Sequence, residues 1–249
     1  MFRIIVPALC LLAGTASAKE LKVLTGAGMS MPVKALAVDF GARTGDTVTV
    51  VSDTAGGVQK RMEAGEKFDL VIATEAVMDA LAKEGKIAGQ RDRLAQMVAG
   101  IGARAGSAKP AIADAEEAKA TLLAARNITY VDPAAGGITG VFFLSQADKL
   151  GIGAEVRAKA VLKPNGTGVA AAVASGEAQY GVTLVSEMLP NKGVTVWPLP
   201  DALQMTTIYA AALSSDAQNA MDAKSLLDDL RGQRGRDESL KAGLKPVTN

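Results

Sequence analysis

Four short turns place glycines and small polar residues directly ahead of a helical pattern. They are Gly26–Ser30, Ser52–Gly57, Asp132–Gly140 and Pro164–Gly168. Each follows an apolar, often β-branched run: 21–25, 47–51, 128–131 and 161–163. A strand, a glycine-rich turn and a helix start together leave backbone N–H groups unpaired and turn the positive end of the helix dipole outward. That is chemistry for holding an anion without a cationic side chain. Ser30, with Pro32 behind it in the first turn, reads as the N-cap of helix one. Thr54, Thr139 and Thr167 add hydroxyls to the other turns, and Thr74 caps a further helix beside Glu75. The plainer reading is that Gly136, Gly137 and Gly140 permit a tight turn, and that Ser30 and Thr54 only cap helices.

Other chemistry is closed off by composition. The chain has no histidine and one cysteine, Cys10. Ser-His-Asp triads, Cys/His zinc sites, disulfides and thiolate nucleophiles are therefore excluded once the leader is removed. No metal set, cofactor site or catalytic residue is assigned. Catalysis would fall to carboxylates, Lys, Tyr or Ser. Glu75 and Glu187 are the candidate bases, and Glu75 is equally an ordinary first-turn acid. Lys60, Arg61, Arg91 and Arg93 could reach a carboxylate, but solvated faces explain them as well. Met29 and Met31 could line a pocket or fill the core.

The elements that would position these turns come next. Residues 1–18 read as a secretory leader: Arg3, an apolar run from Ile4 to Leu12, and Ala16-Ser17-Ala18 as the cleavage site. Its removal leaves 231 of 249 residues, with 26 basic and 26 acidic side chains once Arg3 is gone. A balanced charge argues against nucleic acid or an anionic membrane as partner, while leaving a small anion open. Strand patterns alternate with helical ones along the whole chain, which predicts a mostly parallel α/β sheet. Residues 94–103 read as one long strand. The expected organisation is lobe 1 from 19–99 plus 198–249 and lobe 2 from 100–197, with crossings at 94–103 and 194–200. Two crossings make a hinge, and ligands in such folds sit at the C-terminal ends of the strands.

The blocks V-L-T-G-A-G-M-S, D-F-G-A-R-T-G, E-A-G-E-K-F-D-L-V-I-A-T-E and D-P-A-A-G-G-I-T-G resemble the periplasmic molybdate-binding protein family. The resemblance spans essentially all of the mature chain. It implies a type II periplasmic binding protein, with two Rossmann-like lobes, a hinge and a central cleft. It also implies a monomer in the periplasm that delivers a small anionic ligand to an ABC-transporter permease. The family's ligand positions fall at Gly28 with Ser30 close by, at Thr54-Ala55-Gly56, at Thr139 before Gly140, at Gly166 or Thr167, and at Leu184. Gly28 and Leu184 stand where the family has Ser and Tyr, which would remove bulk and make room for a larger organic anion. A branch similar to periplasmic aconitate isomerase carries T-A-G-G, D-P-x-x-G-G-x-[ST]-G and P-L-P-x-x-[IL]-Q; here these are Thr54–Gly57, Asp132–Gly140 and Pro198–Gln204. That branch implies an isomerase of an unsaturated tricarboxylate as the alternative to a transport protein.

Overall fold

A computed structural model describes residues 18–247. Apart from Ala18, the leader assigned to residues 1–18 lies outside the described residues. The first half of the chain runs β1 (Glu20–Gly26), α1 (Ser30–Thr44), β2 (Thr47–Asp53), α2 (Ala55–Glu63), β3 (Leu70–Thr74), α3 (Glu75–Lys83) and β4 (Ile87–Gln96). Next come β5 (Ala99–Arg104), α4 (Ala115–Ala124), β6 (Ile128–Val131), α5 (Ile138–Lys149), α6 (Gly153–Ala158), β7 (Ala160–Lys163), α7 (Gly166–Ser175), β8 (Tyr180–Leu184), α8 (Val185–Met188) and β9 (Val194–Pro198). The chain finishes with β10 (Ile208–Ser214), α9 (Ala220–Arg231), α10 (Gln233–Lys241) and β11 (Lys245–Pro246).

The strands form two sheets, one per lobe. Their orders are β11-β4-β10-β3-β1-β2 and β7-β6-β8-β5-β9. Each sheet is mixed rather than mostly parallel. β1 pairs in parallel with β2 and β3, and β6 with β7 and β8. The strands beside the crossings (β4, β5, β9 and β10) pair antiparallel. The βα units force parallel neighbours, whereas a chain entering or leaving a lobe through the hinge is free to return antiparallel.

The run at 94–103 is not one strand. It divides at Met97-Val98 into β4 of one sheet and β5 of the other. The second crossing lies alongside and is tied to it. The Met97 amide donates to Thr207 O at 2.9 Å. The Gln204 carboxamide brackets Ala99, accepting from its N–H at 3.0 Å and donating to its C=O at 2.9 Å.

Burial follows from the sequence pattern. β3 (L-V-I-A-T) is buried at every position, as expected for a strand covered on both faces. Helix α1 buries Val33, Leu36, Ala37 and Phe40, spaced three or four apart so that they share one face. In the second lobe Tyr130 of β6 meets Phe143 of α5 edge to face, with ring centroids 5.3 Å apart. That contact anchors the helix whose start carries the third turn.

Candidate functional site

The turns converge where the two lobes meet. An inner pocket of about 30 Å³ lies between the starts of α2 (Thr54, Ala55), α3 (Thr74), α5 (Ile138, Thr139) and α7 (Gly166), with Leu184, Glu187 and Tyr209 completing its wall. It adjoins an outer chamber of about 640 Å³ lined by Ser30, Lys34, Asp53, Thr167 and Ser186, among others. Thr54, Gly166 and Glu187 border both spaces. The lobes touch at the mouth. Thr54 Oγ1 and Gly56 N lie 3.5 Å from the carbonyls of Ala135 and Gly136, respectively.

Local sequence explains most of the helix starts. Thr54 caps α2, accepting from Gly57 N at 3.0 Å. Thr74 caps α3 at a looser 3.5 Å from Val77 N. Asn165 caps α7 by accepting from Gly168 N at 2.9 Å. The N-cap of α5 is Gly137, which has no side chain to offer. The first amides of each of these helices have no partner within the helix.

Among the residues assigned from sequence, Thr54, Ala55, Thr74, Thr139, Gly166 and Leu184 border the inner pocket. Ser30, Thr54, Gly166 and Thr167 border the outer chamber. Gly28, Gly56 and Gly140 border neither. Ser30 is not the N-cap of α1. A single 3-10 turn at 27–29 precedes the helix, Met29 takes the cap position, and the Ser30 amide bonds back to Ala27 O.

The room expected at Gly28 is also filled. A Cβ there would lie 2.4 Å from both Leu184 Cδ1 and the Tyr209 hydroxyl. Gly140 has a packing reason as well, since a Cβ would come within 1.8 Å of Val131 O.

Two side chains dominate the chemistry. Thr183 Oγ1 donates to Glu187 Oε2 at 2.5 Å, and Thr139 Oγ1 lies 3.3 Å from Thr183 Oγ1. Because a hydroxyl has one proton, Thr139 is the donor in that second bond. Glu187 also lies against the start of α7: a Cβ on Gly166 would fall 2.1 Å from Glu187 Oε2. Glycine is what allows this approach.

Glu187 keeps some accessible surface because it lines both spaces, yet protein surrounds it closely. The close surroundings govern its solvation. Burial therefore pushes its carboxyl above the ordinary range, while bonds from Thr183 and the Leu184 backbone pull it back. Across the pocket, buried Tyr209 accepts from Gly28 N at 3.1 Å. Burial first, and the nearby Glu187 charge second, hold its hydroxyl well above the usual phenol value, while the Gly28 amide opposes them.

The sequence candidates Glu75, Lys60, Arg61, Arg91 and Arg93 border neither space. Glu75 pairs with Arg93 at 3.0 Å. Arg61 pairs with Asp53 and Glu66, and Arg91 with Asp79. Met29 is core, and Met31 lines the outer chamber. Sequence reasoning left Tyr209 in a strand. The signal for it was a lone polar aromatic in Ile208-Tyr209-Ala210-Ala211-Ala212. Among the described residues no cluster of His, Cys, Asp or Glu is arranged to hold a metal.

The profile of a family described as bacterial extracellular solute-binding protein matches residues 21–245. An aconitate isomerase from a Pseudomonas species is 30% identical over 236 residues, covering 91% of this chain and 88% of that protein. The Azotobacter vinelandii periplasmic molybdate-binding protein superposes with a TM-score of 0.75 at 20% identity, over 92% of this chain and 99% of the other. The substrate-binding protein of an ABC transporter from Agrobacterium tumefaciens gives 0.73 at 15% identity, over 96% of this chain and 83% of the other.

Proposed function

Because the chain belongs to the bacterial extracellular solute-binding protein family, we propose that it is exported to the periplasm and binds a small organic carboxylate between its lobes for an ABC importer. The observation that carries this reading is the pairing of an inner pocket ringed by helix starts with a chamber about twenty times larger. The inner space holds roughly two waters. It suits one carboxylate head better than a complete tetrahedral oxyanion, and the chamber receives the rest of the ligand. Neutral donors and helix dipoles replace the water shell of the anion. Lobe closure then seals it. The site residues proposed are Ser30, Thr54, Ala55, Thr74, Thr139, Gly166, Thr167 and Leu184, with Glu187 added. The leader at 1–18 serves export, and the protein acts as a monomer that docks on a permease.

A second reading is an isomerase of an unsaturated tricarboxylate. The name of the 30% identical relative favours it. So does Glu187, a carboxyl able to take a proton from carbon beside a carboxylate and return it at the far end of the shifted double bond. Nothing is consumed in such a shift.

Thermal-shift titration of the mature protein with molybdate, sulfate, citrate and cis- and trans-aconitate tests both readings. Ligand at about 100 times its dissociation constant stabilises by about 2.7 kcal/mol. A shift with molybdate or sulfate and none with the organic acids sinks the proposal. Absorbance change on incubating trans-aconitate separates the enzyme from the binder.

A further inference from the structure

We propose that the outer chamber is a second carboxylate subsite, in which Lys34 and Ser186 hold the distal acid group of the ligand. This rests on the organic-acid reading above and narrows it to ligands with at least two carboxylates.

Two independent observations point here. Ser186 is only 3% exposed, lines the chamber, and its Oγ has no hydrogen-bond partner. A buried hydroxyl without a partner is uncommon and carries a desolvation penalty that a ligand oxygen would remove. Lys34, on α1 of the other lobe, also lines the chamber and is exposed, and among the described residues it forms no ion pair. Of the two acids lining the chamber, Asp53 is engaged by Arg61 at 2.8 Å and by the Thr54 amide at 2.8 Å, and Glu187 accepts from Thr183. Lys34 is therefore the free cation facing this space, with Glu187 marking the boundary to the inner pocket.

The geometry fits a chain with an acid at each end. One carboxylate enters the inner pocket at the helix starts, and the carbon skeleton passes Glu187. The distal carboxylate pairs with Lys34 Nζ, and a side-chain rotation turns the Ser186 hydroxyl, buried in this structure, toward it. A monocarboxylate would leave both unused.

Calorimetric titration of wild type, Lys34→Met and Ser186→Ala with butyrate, glutarate, propane-1,2,3-tricarboxylate and trans-aconitate tests the assignment. Neither variant removes a bond within the protein, so melting temperatures should not fall, and Ser186→Ala, which removes the unpartnered buried hydroxyl, should match or exceed wild type. Wild type should bind a polycarboxylate at least tenfold more tightly than butyrate. Each substitution should weaken the polycarboxylate about fivefold, the scale of an exposed ion pair or single hydrogen bond, and leave butyrate unchanged. Polycarboxylate binding that neither substitution weakens, or weakening equal to that of butyrate, overturns the subsite alone. A wild type that binds none of the four acids overturns the organic-acid reading itself, and the subsite with it.

Discussion

The Tyr209 hydroxyl accepts the Gly28 amide proton at 3.1 Å and stands, with Leu184, where a Gly28 side chain would be. The bond joins β10 to the turn after β1, and it leaves the proton of Tyr209 free to be donated into the inner pocket. A Gly28→Ala change must displace the ring or the turn. Overpacking of this kind costs about 1–3 kcal/mol. Tyr209→Phe removes the bond without the clash and should cost about 1 kcal/mol. Denaturant unfolding of both variants checks the order: Gly28→Ala no worse than Tyr209→Phe would show that the turn has slack.

Glu187 should make stability depend on pH. Its carboxyl is raised in the folded chain, chiefly by burial, whereas an unfolded Glu titrates near about 4.3. Below that value both states are protonated and the group contributes nothing. Above it the unfolded chain gives up its proton first, so stability falls as pH rises until the folded carboxyl has ionised too. Glu187→Gln lacks this slope. The variant should therefore gain on wild type from about pH 4 upward and then level off. Unfolding free energies that run parallel for the two proteins across that range would refute the assignment.

Gly56 approaches Gly136 where the two lobes meet. A Cβ on Gly56 would lie 3.2 Å from Gly136 Cα. Gly56→Val is expected to hold the lobes apart, lowering ligand affinity tenfold or more and enlarging the radius of gyration in small-angle scattering. The unfolding free energy should stay within about 0.5 kcal/mol, the scale of a surface substitution. Unchanged affinity for an organic acid would mean that this contact does not close the site.

Thr139 links the third turn to Glu187 through Thr183. Thr139→Ala removes the donor to Thr183 and one hydroxyl from the pocket wall. Because the Thr139 proton is given to Thr183, the change acts through the placement of Thr183 and Glu187, and affinity for whichever organic acid binds wild type should fall about fivefold, the worth of the one hydrogen bond lost behind the pocket wall. If titration finds no loss, the turn is structural.

Local sequence made the helix starts at Thr54 and Thr74 legible, because capping is decided within four residues, but the Asn165 cap was passed over inside a glycine-rich turn. It also gave the strand–helix alternation and the two lobes. It misread Ser30, since a single 3-10 turn shifted the cap to Met29. It joined β4 to β5, because an apolar run does not reveal which sheet each end will enter. It passed over α6, too short to show a helical period.

The sequence by itself settled that this protein has no histidine and a single cysteine, Cys10, and that several helix starts follow glycine-rich turns. The tertiary structure decided which residues line the space that those helix starts surround. Gly28 and Tyr209 are 181 positions apart, and Thr139 and Thr183 are 44 apart. Periodicity and capping report only on neighbours along the chain. A carboxyl against α7 and a phenol against Gly28 come together only where the two lobes meet.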